Sequence, residues 1–264
     1  MSFSTITFEV ADDVAVLTLN RPDRLNALSQ AMLGDMTRAL EIADDPRAPA
    51  RCLLITGAGE GFCAGANLAG EAPVLPHDPQ NITAVLDRFY HPFLKRLRDL
   101  RMPVVCAVNG PAAGAGASLA LNSDIVFAAR SAYFLQAFVN IGLIPDAGGT
   151  YFLPRLVGRA RALSMIMLGE RIAAQTAADW GLIHACVDDE ALMESALACA
   201  RQLAKGPTKA LTAMRRAITA SASNTLEDQL ELELALQSDL TRSGDFAEGV
   251  SAFMQKRPPE FKGR

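Results

Sequence analysis

The run Val104-Val105-Cys106-Ala107-Val108-Asn109-Gly110-Pro111-Ala112-Ala113-Gly114-Ala115-Gly116-Ala117-Ser118 decides the architecture of this chain. Five consecutive apolar residues, three of them valine, read as a strand buried on both faces. Asn109, Gly110 and Pro111 then break it. The small residues of 109–116 form a turn that feeds a short helix over 117–122, and 124–129 is a further buried strand. A second segment has the same plan: Leu53-Leu54-Ile55-Thr56 ends at Gly57-Ala58-Gly59 and continues into Gly61-Phe62-Cys63-Ala64-Gly65-Ala66-Asn67-Leu68.

Working outward, 5–10 and 14–20 alternate in polarity, and Asp12-Asp13 supplies the turn of a hairpin. Ser29 is suited to cap a helix on which Met32, Met36, Leu40 and Ala43 share one face, as core residues rather than ligands. The stretch 61–79 reads as a long mobile loop, 82–100 as a helix. From residue 159 the pattern is helical: 160–168, 174–180, 189–205, 207–222, 226–241 and 246–255, with Pro207 in the first turn of its helix. Strands alternating with helices, then helices alone, predict an α/β protein with a helical C-terminal region; the expected division is 1–200 and 201–264.

Composition narrows the function. The 264 residues carry 25 basic and 29 acidic side chains, a net charge of −4, which gives no field to gather a nucleic-acid backbone. The most apolar stretch, 103–120, is interrupted by Asn109, Pro111 and glycines, so it reads as strand, turn and helix rather than a membrane span. Met1 to Asp13 lacks a basic segment followed by an apolar one, so no signal peptide is expected. Five scattered cysteines without CxxC spacing read as reduced thiols of a cytoplasmic protein, and His77, His91 and His184 form no metal motif.

The two glycine-rich turns admit two readings. Small residues permit tight packing of helix on sheet, the simpler reading from spacing alone. They also let a ligand approach the backbone, and the first N–H groups of a helix have no internal partner. Two such N–H groups converging on one point make an oxyanion hole, in which one donor is worth about 2.7–4 kcal/mol. Neither nucleotide fingerprint applies, because no Lys follows for GxxxxGK[ST] and the third glycine of GxGxxG is missing.

Taken in order, Asn20-Arg21-Pro22 with Leu25-Asn26-Ala27-Leu28, Gly61-Phe62-Cys63-Ala64-Gly65, Ala107-Val108-Asn109-Gly110, Gly142-Leu143-Ile144-Pro145-Asp146-Ala147-Gly148-Gly149-Thr150 and Glu248-Gly249-Val250-Ser251-Ala252-Phe253 resemble the enoyl-CoA hydratase/isomerase (crotonase) superfamily over nearly the whole chain. The resemblance implies a crotonase-like spiral of ββα units with a helical C-terminal region for trimerisation, assembled as a homotrimer or hexamer. It implies an acyl-CoA substrate, with coenzyme A part of the substrate and no further cofactor. Carried over by position, the oxyanion hole is the backbone N–H of Ala66 and of Ala115. Arg24, Leu25, Ala27, Ala64, Asn67 and Leu68 hold the coenzyme, although Asn67 departs from the usual aspartate. Phe253 and Lys256 match positions near its phosphate end, often supplied by a neighbouring subunit.

Family hydratases use two glutamates where this chain has Ser118 and Phe138. Phe has no titratable proton and Ser needs a partner base, so water addition is disfavoured. Asp146, in an apolar context, is then the candidate acid/base for double-bond isomerisation through an enolate, with a pKa raised by burial. Its alternative role is a helix N-cap before Ala147-Gly148-Gly149. The turn segments, Ala137-Phe138 and Asn224-Thr225-Leu226 resemble most the subgroup that converts ring-1,2-epoxyphenylacetyl-CoA to an oxepin. A hydratase of the same family is the alternative. A serine hydrolase built on Ser118 is a more distant one, requiring a His base that no motif supplies. RNA binding, known in some crotonase relatives, is opposed by the acidic balance.

Overall fold

The computed structural model describes residues 2–45, 47, 50–67 and 79–264. Strands β1 (Ile6–Ala11) and β2 (Val14–Leu19) form the expected hairpin, closed by Asp12 and Asp13 at φ 52° and 62°. Two successive left-handed residues make the turn whose twist matches an antiparallel pair. Helix α1 (Gln30–Ala43) starts at Ser29, whose hydroxyl accepts from the Met32 N–H, and buries Met32, Met36, Leu40 and Ala43. Strand β3 (Cys52–Gly57) lies parallel to β2.

The helix expected over 82–100 runs without a break over 79–98, as α2 (Pro79–Val85), a π-helical turn over Leu86–Tyr90, and α3 (His91–Arg98). A π turn inserts one residue into the helical ladder and rotates the side chains beyond it, a feature frequent at functional sites. Then come β4 (Val104–Val108), β5 (Ala112–Ala113), α4 (Ala115–Leu121), β6 (Ile125–Ala129) and β7 (Tyr133–Leu135). Helix α5 (Gly149–Leu168) is two helical segments meeting at a kink at Gly158, of which the second is the one expected over 160–168 and the first lies outside any expected helix. Pro154 and Gly158 are helix breakers by composition, and Gly158 does break it (φ 76°), but helix resumes on both sides. After β8 (Arg171–Ala173), α6 (Ala174–Asp179) and β9 (Ala185–Val187), the chain ends in α7 (Leu192–Ala204), α8 (Thr208–Ser221), α9 (Leu226–Leu240) and α10 (Gly244–Gln255). Pro207 is the residue capping α8, one position before the first turn expected for it.

The main sheet has the order β1-β2-β3-β4-β6-β9, parallel except for β1 on β2, and a small sheet pairs β5, β7 and β8. Strands of two or three residues have no legible period, which is why β5, β7, β8 and β9 escape a sequence reading. Helix α7 packs on β3 and β4. The C-terminal helices are tied back by two arginines. Arg215 of α8 pairs with Asp124 and donates to the carbonyls of Leu100 (2.9 Å) and Met102 (2.6 Å). Arg51 donates to Gly206 O (2.5 Å) and Phe261 O (3.0 Å). Among the described residues no helix is long and apolar enough to cross a membrane.

One buried charge joins α1 to the first strand. Asp35 accepts from the Ser4 and Thr5 N–H groups (both 3.0 Å) and the Thr5 hydroxyl (2.8 Å), and pairs with Arg38. Burial alone would raise its pKa, but the bonds to Thr5, Arg38 and Ser4 outweigh that and hold it at about 2. Asp35→Ala leaves these donors unpaired and should cost about 2–4 kcal/mol in a urea titration. Because the folded pKa is depressed, the carboxylate's contribution is complete above about pH 4 and is lost as pH falls towards about 2. The variant's deficit should therefore shrink in acid.

Candidate active site

The two glycine-rich turns lie against each other. The Phe62 and Cys63 N–H groups both donate to Pro111 O at 3.1 Å, and Ala113 N–H donates to Cys63 O at 2.9 Å. Leu28 and Ala66 are bridged in parallel, so Gly65 O and the Asn67 N–H are used by Leu28 while the Ala66 N–H points the other way. The approach is close enough to require glycine. A Cβ on Gly65 (φ 96°) would lie 2.8 Å from Ala113 O and 3.5 Å from the Ala115 nitrogen, and one on Gly116 would lie 2.3 Å from Cys63 O. Ala115 opens α4, where its N–H has no carbonyl within the helix to meet. Neither the Ala66 nor the Ala115 N–H donates to any acceptor among the described residues. The tight packing of the packing reading is present, and it leaves these two amides, one in each bend, without an acceptor among the described residues.

Asp146 lies in the loop before α5. It is half-buried, and its inaccessible Oδ1 has no hydrogen-bond partner among the described residues. The N-cap of α5 is Gly148, which receives no side-chain bond, and Gly149 N–H is taken by the main-chain carbonyl of Asp146. The capping role is therefore excluded, and the side chain is free for other use. Burial pushes its pKa up to about 6, against the lowering influence of His91. The loop is held in an unusual shape, with Ala147 at φ 49° and Gly148 at φ 84°. A left-handed alanine costs about 1–3 kcal/mol and persists only when its surroundings enforce it. Asn122, at the end of α4, does so by donating to Ala147 O (3.1 Å) and Ser118 O (2.8 Å). The helix that presents the Ala115 amide thus also anchors the loop that presents Asp146. Asn122→Leu should shift the loop and lower turnover about 10-fold with little change in thioester affinity, read as a split between kcat and KM.

Ser118 is fully buried in α4 and its hydroxyl has no partner. Among the described residues no histidine bonds it: His184 stacks edge-on against Phe127 (5.1 Å), and His77 lies outside those residues. The hydrolase arrangement is absent among the described residues. The Phe138 ring packs beside Gly114, 3.8 Å from where a Cβ there would stand.

Arg24, Leu25 and Ala27 come together with Ala64 and Asn67. Ala64 N–H donates to Leu25 O (2.9 Å), Ala27 N–H to Arg24 O (3.1 Å) and Asn67 N–H to Leu28 O (3.0 Å). Leu25 and Asn26 are left-handed (φ 47° and 55°), and the Asn26 amide fixes the bend by donating to Ala58 O and Gly61 O. Arg24, Leu25 and Ala64 are exposed along this rim. Leu68, and most of the loop expected over 61–79, lie outside the described residues. Phe253 and Lys256 stand at the end of α10. Phe253 is 81% exposed, and no hydrogen bond, ion pair or ring contact among the described residues joins either to the two turns. Composition missed Tyr90 and Gln136, both buried with unpartnered polar atoms. Tyr90 sits within a helical stretch and carried no motif to flag it. No group of metal-ligating side chains occurs among the described residues.

Comparison with known proteins settles the lineage of this arrangement. A family model described as enoyl-CoA hydratase/isomerase matches residues 9–264. The chain belongs to that family. It is an enzyme acting on CoA thioesters, and its α/β fold with C-terminal helices is the crotonase fold. It is 48% identical over 260 residues to the 1,2-epoxyphenylacetyl-CoA isomerase of Escherichia coli K12, covering 98% of each chain. It is 38% identical over 251 residues to the 2,3-dehydroadipyl-CoA hydratase of the same organism, covering 95% of this chain and 96% of the relative. The solved enoyl-CoA hydratase of Bacillus anthracis superposes with a TM-score of 0.92 at 33% identity, over 99% of this chain and 100% of that one. Relatives in this family thus carry both isomerase and hydratase names, and the choice between them rests on the side chains.

Proposed function

We propose that this family member is an isomerase for 1,2-epoxyphenylacetyl-CoA, related to Δ3,Δ2-enoyl-CoA isomerases, working with one carboxylate and a backbone oxyanion hole. The observation that carries this reading is Asp146, a half-buried carboxylate whose inaccessible Oδ1 has no partner among the described residues, on a loop anchored to the helix that begins at Ala115. The arene oxide opens the ring C–C bond that its epoxide shares, electrocyclically and with no atom gained or lost, to give the oxepin, and Asp146 then takes a proton from the carbon beside the thioester. The electron pair moves into the thioester carbonyl, whose oxygen is held by the N–H groups of Ala66 and Ala115. Collapse of the enolate returns the same proton from Asp146 to a carbon further along the conjugated system. Atoms balance without water or a cofactor, since coenzyme A is part of the substrate. The positions where family hydratases carry their glutamates hold Ser118 and Phe138, neither able to activate water at neutral pH.

In this reading Arg24, Leu25, Ala27, Ala64, Asn67 and Leu68 grip the adenine and pantetheine, and Phe253 and Lys256 reach the phosphate end from a neighbouring subunit. The helices α8–α10 expose Ile218, Leu234, Phe253 and Met254 at 72–81%, a face suited to a homotrimer or hexamer. Five free cysteines fit a cytoplasmic enzyme.

The test is a substrate panel read by mass and absorbance. The epoxide should be consumed at constant mass with a new chromophore, 3-enoyl-CoA should shift its double bond, and crotonyl-CoA should gain no water. Hydration of crotonyl-CoA at a rate matching isomerisation would overturn the reading. With the Asp146 pKa at about 6, kcat/KM should rise with pH through about 6 and then level. Lys256→Ala should weaken coenzyme A thioesters more than their pantetheine counterparts, measured by calorimetry. Equal weakening would remove Lys256 from the phosphate end.

A further inference from the structure

Five buried polar atoms without a partner belong to four residues of the site region: Tyr90 Oη, Ser118 Oγ, Asp146 Oδ1 and both amide atoms of Gln136. A buried polar group left unpaired costs roughly 1–3 kcal/mol, so such a cluster marks a place where a ligand or water completes the bonding. Ser118 and Gln136 sit close together: a Cβ on Gly149 would lie 2.9 Å from Ser118 Oγ and 3.7 Å from Gln136 Oε1. A small movement of the hydroxyl or one water serves that pair. Asp146 is the proton carrier. Tyr90 is left over.

Tyr90 is 4% exposed and ends the π turn, immediately before α3, and its Oη has no hydrogen-bond partner among the described residues. It lies within electrostatic reach of Asp146 and of Cys63, which belongs to the first turn. Its neighbour His91 likewise acts on Asp146. Burial first, and then the Asp146 charge, push the phenol well above its ordinary pKa, so the group stays protonated and serves as a donor, never as a base.

We infer that the Tyr90 hydroxyl is the hydrogen-bond donor for an oxygen atom carried by the acyl group, and that it selects acyl groups bearing an ether or epoxide oxygen near the carbon that Asp146 addresses. The inference rests on the isomerase reading and adds to it the residue that separates an oxygenated ring from a plain enoyl chain. Such a site discriminates because an acyl group lacking the oxygen leaves the phenol buried and unpaired. The oxygen keeps both of its C–O bonds through ring expansion, so the phenol's bond to it holds the ring in position for the proton transfer.

The experiment compares Tyr90→Phe with the wild type on 1,2-epoxyphenylacetyl-CoA and on 3-hexenoyl-CoA. The expected result is a fall in kcat/KM for the epoxide at least about 10-fold greater than the fall for 3-hexenoyl-CoA. Equal falls would make Tyr90 a packing residue and overturn the inference, as would no fall with either substrate. A wild type inactive on the epoxide sinks the isomerase reading itself, and the inference with it. If Tyr90→Phe does not fold, the Asp146→Asn protein with Tyr90 intact is titrated with 2-methoxyphenylacetyl-CoA and its near-isosteric 2-ethyl counterpart. Tighter binding of the methoxy ligand by about 3-fold or more supports the inference, and equal affinity overturns it.

Discussion

Asp146→Asn should abolish isomerisation and at the same time make the protein more stable at pH 8. The kinetic half comes from the removal of the proton carrier, with an expected loss in kcat on the order of 10³–10⁴. Thioester affinity should stay within a few-fold, because the amides of Ala66 and Ala115 and the rim around Leu25 and Ala64 are untouched. The stability half comes from linkage. The folded protein raises this carboxyl from 3.8 to about 6, so its contribution is fully present below about pH 4 and is lost as pH rises through about 6. At pH 8 the wild type holds a desolvated carboxylate that asparagine does not impose, a difference of roughly 1–3 kcal/mol. In a chain of this size that amounts to a few degrees in Tm. Thermal melts at pH 8 and pH 4 check it: the variant's advantage should be present at the first and vanish at the second. A variant equally destabilised at both would make Asp146 a structural residue.

The second large effect concerns a single main-chain hydrogen. Ala115→Pro should lower kcat/KM by a factor on the order of 10²–10³ with little change in unfolding free energy. Proline is tolerated at the first position of a helix, where its missing N–H had no helical partner to lose. Gly114 before it, at φ 52° and ψ −125°, adopts the mirror image of the extended conformation that proline demands of its predecessor, and glycine, lacking a Cβ, accepts either hand. The ring's Cδ also takes the place of the thioester oxygen, so the loss should appear in KM as well as kcat. Full activity in a folded variant would remove Ala115 from the oxyanion hole. Ala115→Ser, which keeps the N–H, is the control and should retain most of the turnover.

These two residues show how far one dimension reaches. The buried β4 run and the small residues after it announce a strand, a turn and a helix N-terminus, because each is a local matter of branching, breakers and unpaired amides. Ser29 and the Asp12-Asp13 turn are legible for the same reason. Tyr90 is different. Its ring direction depends on a one-residue shift at the π turn, and nothing in Arg88-Phe89-Tyr90-His91 foretells that shift. Helix α5 divides along the same lines: Gly158 kinks it where the sequence places a breaker, whereas Pro154 is accommodated within the first segment.

Sequence alone determined that an alternating α/β chain with helical C-terminal elements must present two bends of small residues and one carboxylate in an apolar setting, since spacing and side-chain volume are properties of the string. Only the tertiary structure decided that the two bends lie against each other with the Ala66 and Ala115 amides lacking an acceptor among the described residues, that Asp146 does not cap α5, and that a buried phenol stands within its electrostatic reach. Each of those is a statement about which polar groups remain unpaired, and pairing is settled by partners distant in sequence: Pro111 for Cys63, Leu28 for Gly65, Asn122 for Ala147.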